Sequence, residues 1–124
     1  MNCTTVLLVE DNGLTLEALS GFLMSRCKHL YIAKNAEEAY EIFQKILPDM
    51  LITDIRLPGS DGLWLAQSAK NVKRDTVIFV MSAYINDEYS TRMNEIGIDK
   101  FFEKPIDLDI FEKSFLDKCN TPIF

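Results

Sequence analysis

Five short apolar runs, at residues 4–9, 30–33, 50–53, 76–81 and 100–102, are separated by stretches whose apolar residues recur at helical spacing. Strands and helices that alternate in this way build a parallel sheet covered by helices on both faces, and right-handed crossovers leave few ways to wind it. The runs at 4–9, 50–53 and 76–81 are nearly continuous in Val, Ile, Leu, Phe and Met, as strands buried on both sides must be. The run at 30–33 is shorter and more mixed, and reads as an edge strand. The chain is therefore expected to be a doubly wound α/β protein.

The helices follow from the intervening patterns. Leu16, Leu19, Phe22 and Leu23 give the first an apolar stripe, with Cys27 one turn on. Asn35 and Glu38 form a capping-box-like start for the second, which should bury Ala39, Tyr40, Phe43 and Ile46 and stop at Pro48. The third should open at Ser60 or Asp61 and bury Leu63, Ala66 and Ala69, leaving Trp64 partly exposed. Ile85, Tyr89, Met93 and Ile96 give the fourth a narrow stripe that covers little core, so it is expected to be loosely held. The last helix should turn Ile110, Phe111, Ser114 and Phe115 inward.

Chemistry in such folds gathers at the carboxyl ends of the strands. Asp54 closes the third run and is followed at once by a loop containing Pro58, Gly59 and Gly62. Glu10 and Asp11 follow the first run and reach the same edge if the two strands are parallel neighbours. An acidic pair before a helix commonly serves only the helix N-terminus, and Asp54 could simply cap a turn. Three carboxylates converging at strand ends are harder to dismiss, because they repel one another unless a hard divalent cation joins them. Ser82 after the fourth run adds a hydroxyl and Lys104 after the fifth adds an ammonium. Together these suit phosphoryl transfer onto a carboxylate, with Asp54 as nucleophile, Mg²⁺ as the cation and Lys104 on a phosphoryl oxygen.

At 124 residues the chain fits one domain with a sizeable core, and its formal net charge of −6 disfavours phosphate backbones and anionic membranes as partners. Cys3, Cys27 and Cys119 are odd in number and far apart, so neither a disulfide framework nor a zinc site is indicated. They are read as reduced, in a cytoplasmic protein. No apolar run is long enough to span a bilayer, and the N-terminus lacks a charged leader region. Residues 1–120 are taken as the domain and 121–124 as a tail or the start of a linker.

Glu10-Asp11-Asn12, Asp54 with Pro58 and Gly62 in its loop, Ser82-Ala83, and Lys104-Pro105 stand in the order and spacing of a known pattern. On these motifs, essentially the whole chain resembles a response-regulator receiver domain of bacterial two-component signalling. The resemblance implies a flavodoxin-like (βα)5 sandwich with strand order 2-1-3-4-5. It also implies that Asp54 is the phosphoacceptor, and that Glu10, Asp11, Asp54 and the main-chain carbonyl of Arg56 hold Mg²⁺. Ser82 would contact the phosphoryl group, Lys104 would stabilise it, and the peptide before Pro105 would be cis. Ser82 and Phe101 would act as the switch pair, Ser standing where Thr is frequent and Phe where Tyr is frequent. Arg56 and Tyr84 would flank the path of the attacking water and, being large, slow the loss of the phosphoryl group. The implied donor is a sensor histidine kinase or phosphotransfer protein. The face made by the fourth helix, fifth strand and fifth helix is the family's common homodimer surface.

Rival readings meet specific obstacles. A phosphatase of the haloacid-dehalogenase type would need a second acid where Arg56 stands, so the chain is expected to accept a phosphoryl group rather than turn over outside substrates. A flavin carrier needs a Ser/Thr/Gly-rich phosphate cradle after the first strand, where Glu10-Asp11 would repel the ligand. A phosphorylation-independent interaction module on the same fold is the remaining alternative.

Overall fold

The computed structural model describes residues 5–119, and Cys3, Thr4 and the tail 121–124 lie outside them, as does the side chain of Cys119. Five strands alternate with five helices: β1 (Thr5–Val9), α1 (Gly13–Met24), β2 (His29–Ala33), α2 (Ala36–Ile46), β3 (Met50–Asp54), α3 (Gly62–Val72), β4 (Val77–Ser82), α4 (Asp87–Ile96), β5 (Lys100–Glu103) and α5 (Leu108–Cys119). The strands are parallel in the order β2-β1-β3-β4-β5, which is the expected flavodoxin-like winding with the mixed run 30–33 at an edge.

Alternation along the strands divides the core in two. Val6, Leu8, Ile52, Phe79 and Phe102 face α1 and α5, where they meet Leu19, Leu23, Phe111 and Phe115. Leu7, Val9, Leu51, Ile78 and Val80 face the other way, onto Ala39, Phe43, Leu63, Ala66 and Met93 of α2, α3 and α4. Phe111 lies at the centre of the first layer, its ring 5.0–6.4 Å from those of Phe22, Phe79, Phe102 and Phe115. Among the described residues no helix is long and apolar enough to cross a membrane.

Helix ends follow local chemistry. Asn12, Asn35, Asp61 and Asn86 cap α1 to α4, each accepting a backbone N–H three residues on. Leu47 ends α2 in the left-handed region at φ 46° ahead of Pro48, and Gly97 ends α4 at φ 87°.

Three expectations need correction. Ile85 stands before the α4 cap and is exposed, so that helix is held by Met93, its only buried residue, with Tyr89 and Ile96 partly buried beside it. Ile110 is 53% exposed, because the inner face of α5 is centred on Phe111 and Phe115 and a neighbouring residue is turned about 100° away from it. Tyr40 and Ile46 are only partly buried, and the buried face of α2 is made by Ala36, Ala39 and Phe43.

Candidate functional site

The carboxyl ends of β1, β3, β4 and β5 bring Glu10, Asp54, Ser82 and Lys104 to one edge of the sheet. The register aligns Asp54 with Met81 and Ser82 with Glu103, so each of these groups emerges from the same end of its strand. Glu10 and Ser82 are fully buried, and the Asp54 side chain is 9% exposed.

Lys104 joins the two buried acids. Its Nζ donates to Glu10 Oε1 at 2.6 Å and to Asp54 Oδ2 at 2.8 Å. The second oxygen of each acid takes a main-chain donor, Asn12 N–H on Glu10 Oε2 at 3.0 Å and Arg56 N–H on Asp54 Oδ1 at 3.2 Å. The bond to Asp54 sets the Arg56 main chain beside its carboxylate. Burial pushes the Glu10 carboxyl above the ordinary carboxylate range, against the opposing pull of Lys104 and the Asn12 N–H, and the negative charge of Asp54 adds to the rise. Burial also works against the Lys104 ammonium, but Asp54 and Glu10 together outweigh it and hold that group above the usual lysine value.

The α1 cap is Asn12 rather than either acid, so ordinary helix capping does not account for Glu10 and Asp11. Glu10, exposed Asp11 and Asp54 each offer a carboxylate oxygen within 4.8 Å of the others. Two oxygens on one Mg²⁺ at about 2.0–2.1 Å lie at most about 4.2 Å apart, so small side-chain movements suffice to bring the three together. An all-oxygen donor set of this charge fits a hard divalent cation.

Ser82 Oγ is engaged locally, donating to the Tyr84 carbonyl at 2.6 Å and accepting its N–H at 3.1 Å. Arg56 lies with its guanidinium carbon 5.4 Å from the centroid of the Tyr84 ring, a cation–π pair formed by the two residues that stand two places beyond Asp54 and Ser82. Phe101 is partly buried against the α4 side of the core, Phe102 is buried on the α5 side, and Tyr31 is 39% exposed on the edge strand. The Lys104–Pro105 peptide is cis, as the resemblance implies.

Contacts around the loop after Asp54 were not foreseen. Glu37 of α2 accepts from both the N–H and the hydroxyl of Ser60, at 3.2 and 2.8 Å. Asp61 accepts a forked pair from Arg92 of α4, at 3.1 and 3.3 Å, while capping α3 through the Trp64 N–H at 2.7 Å. Gly62 N–H donates to the Ile55 carbonyl at 2.7 Å and lies directly over the Asp54 main chain. Asp61 carried a signal as a helix opener, but nothing along the chain pairs it with Arg92.

The family model of the response regulator receiver domain matches residues 6–115. A cyclic di-GMP phosphodiesterase of Thermotoga maritima is 30% identical over 120 residues, 97% of this chain and 32% of that protein. The chain thus spans about a third of that curated relative's length. Sporulation initiation phosphotransferase F of Bacillus subtilis is 26% identical over 104 residues, 84% of each chain. The crystal structure of a CheY-like receiver domain protein from Methanospirillum hungatei superposes with a TM-score of 0.89 at 20% identity, covering 96% of this chain and 95% of that one, and so shares its fold. With the family model covering most of its length and the acidic, hydroxyl and lysine groups assembled at one sheet edge, this chain belongs to the response regulator receiver domain family.

Proposed function

We propose that the chain is a phosphorylation-activated switch of a two-component system, with Asp54 as its phosphoacceptor. The observation that carries this reading is the setting of Asp54: a nearly buried carboxylate at a strand end, with an ammonium on one oxygen, a backbone N–H on the other and two further acids in reach. A histidine kinase or phosphotransfer protein supplies the phosphoryl group. An Asp54 oxygen bonds to phosphorus as the phosphorus–nitrogen bond of the donor phosphohistidine breaks, and the imidazole leaves as a neutral base once it takes up a proton. Glu10, Asp11 and Asp54, with the main-chain carbonyl of Arg56, would hold Mg²⁺, which when bound neutralises charge on the transferring oxygens. Lys104 already touches Asp54 and is placed to donate to a phosphoryl oxygen.

The new group adds roughly −1.5 to −2 charge at one point. Ser82 answers it by giving up the hydroxyl bond to the Tyr84 carbonyl and donating to the phosphoryl group instead, which displaces the segment after β4. Space then opens for Phe101 to turn fully inward, and the face formed by α4, β5 and α5 changes. That face is the output surface and a candidate homodimer surface, and residues 1–120 constitute the receiver. The reaction is the chain's own phosphorylation and dephosphorylation, not turnover of an outside substrate.

The test is intact mass after incubation with acetyl phosphate, with and without Mg²⁺, for the wild type and Asp54→Asn. A Mg²⁺-dependent phosphoryl adduct lost in Asp54→Asn is the expected result. No adduct under any condition would leave the chain as a phosphorylation-independent interaction module.

A further inference from the structure

We propose that Arg92 is a positioning residue for the Asp54 reaction: its forked ion pair with Asp61 straps α4 to the loop that shapes the phosphoacceptor, so that α4 and the loading of Asp54 depend on one another. This rests on the reading of Asp54 given above and adds the residue through which the site and α4 are mechanically joined.

The strap runs between a rigid point and a loose one. At the rigid end, Gly62 packs on the main chain of Asp54 and donates to the Ile55 carbonyl at 2.7 Å, so Asp61 next to it is fixed relative to the carboxylate. The same short loop carries the Arg56 N–H that holds Asp54 Oδ1. Its far side is fastened by Glu37 through both donors of Ser60, which leaves the Asp61 side to α4. At the loose end, Met93 is the only buried residue of α4 among those described, and Arg92 stands next to it.

The pair is built to transmit position. Arg92 Nη1 donates to Asp61 Oδ2 at 3.1 Å and Nη2 to Oδ1 at 3.3 Å, and a planar fork meeting a carboxylate fixes orientation as well as distance. Asp61 Oδ1 also receives the Trp64 N–H, so a shift of α4 pulls on the first turn of α3. Both side chains are about a third exposed, 34% for Arg92 and 36% for Asp61, so the pair contributes modestly and its loss should shift the site by a small factor rather than abolish its function. Linkage makes the effect reciprocal: a change at Asp54 that alters the hold on α4 implies that whatever grips α4 alters cation binding at Asp54.

The experiment uses the full chain as wild type, Arg92→Gln, Arg92→Lys, Asp61→Asn and the Arg92→Gln/Asp61→Asn double variant. Asparagine keeps the capping oxygen at position 61 and removes only the charge. Mg²⁺ affinity by calorimetry, the acetyl phosphate reaction rate by intact mass, and amide hydrogen exchange across 87–96 with and without phosphorylation are read together with the melting temperature. Arg92→Gln is expected to weaken Mg²⁺ binding about two- to fivefold, the scale of a partly exposed ion pair, and to slow phosphorylation similarly. It should also speed exchange in α4 and blunt its response to phosphorylation. The double variant should match either single one rather than their product, and Arg92→Lys should restore part of the effect. A lower melting temperature with Mg²⁺ affinity and the α4 response unchanged would overturn the proposal, reducing the pair to a structural contact. A wild type that forms no adduct would overturn the Asp54 reading and this inference with it, whereas a normal wild type beside an Arg92→Gln that behaves identically would overturn the inference alone.

Discussion

A Cβ built on Gly62 falls 1.9 Å from the carbonyl oxygen of Asp54 and 2.8 Å from its carbonyl carbon. The neighbour is main chain at the end of a buried strand, so it cannot swing aside as a side-chain tip would. Gly62→Ala should therefore destabilise the fold by about 1–3 kcal/mol or more, in the range of other overpacked sites. Because the displaced atoms belong to Asp54 itself, Mg²⁺ affinity should fall in the same variant. Chemical denaturation and calorimetric Mg²⁺ titration measure the two effects, and a variant as stable and as tightly binding as the wild type would contradict the contact.

Lys104 lies between two acids that would otherwise face each other, 2.6 Å from Glu10 and 2.8 Å from Asp54. Among the described residues Lys104 is the only cation on them, so Lys104→Met leaves Glu10 fully buried without its ion-pair partner. Removing one partner of a buried pair costs about 3–5 kcal/mol, and the slight exposure of Asp54 puts the expected loss near the lower end. Mg²⁺ should then bind more tightly than to the wild type, having no ammonium to oppose it. The rise in melting temperature on adding Mg²⁺ should accordingly be larger for Lys104→Met than for the wild type.

The features legible in the sequence are those where one physical demand dominates. Strands covered on both faces must be continuously apolar, so 50–53 and 76–81 announced β3 and β4 within a residue or two, and their positions after strand-like runs announced that Glu10, Asp54, Ser82 and Lys104 would meet at one edge of the sheet. Where helical period was the only guide, residues near the ends of the pattern misled. Ile85 fits the α4 stripe but precedes the cap, and Ile110 is apolar beside Phe111 yet lies off the inner face. The contacts of Asp61 with Arg92 and of Glu37 with Ser60 had no signal, since partners on different helices meet only once the packing of α2, α3 and α4 is set.

The Asp61 pair has a pH signature. Burial alone would raise this carboxyl, but the Arg92 guanidinium and the Trp64 N–H outweigh it and hold it below the ordinary aspartate value. A group depressed in the folded state stabilises the protein fully above its unfolded pKa and loses that contribution as pH falls through its folded pKa. The stability difference between wild type and Asp61→Asn should thus be flat near neutral pH and shrink as pH drops below about 4, the unfolded aspartate value. Urea denaturation at a series of pH values reads it directly. A difference that grew on acidification would reverse the sign and exclude the pairing as its source.

Arg56 and Tyr84 form a cation–π pair at 5.4 Å, although each is exposed on its own segment. One follows Asp54 and the other Ser82 by two residues, so the pair bridges the loop after β3 and the loop after β4, beside the proposed phosphoacceptor. If Asp54 carries a phosphoryl group as proposed, attacking water must approach phosphorus in line with the bond that breaks, and a guanidinium lying over a ring would narrow that approach more than either side chain alone. Replacing both by alanine should shorten the lifetime of the phosphorylated protein several-fold, and each single replacement should give most of that change, because either one dissolves the pair. Decay of the adduct followed by intact mass after removal of acetyl phosphate measures the lifetimes. Single variants whose effects multiply to the double would show that the residues act separately, and an unchanged double variant would remove them from the water path altogether.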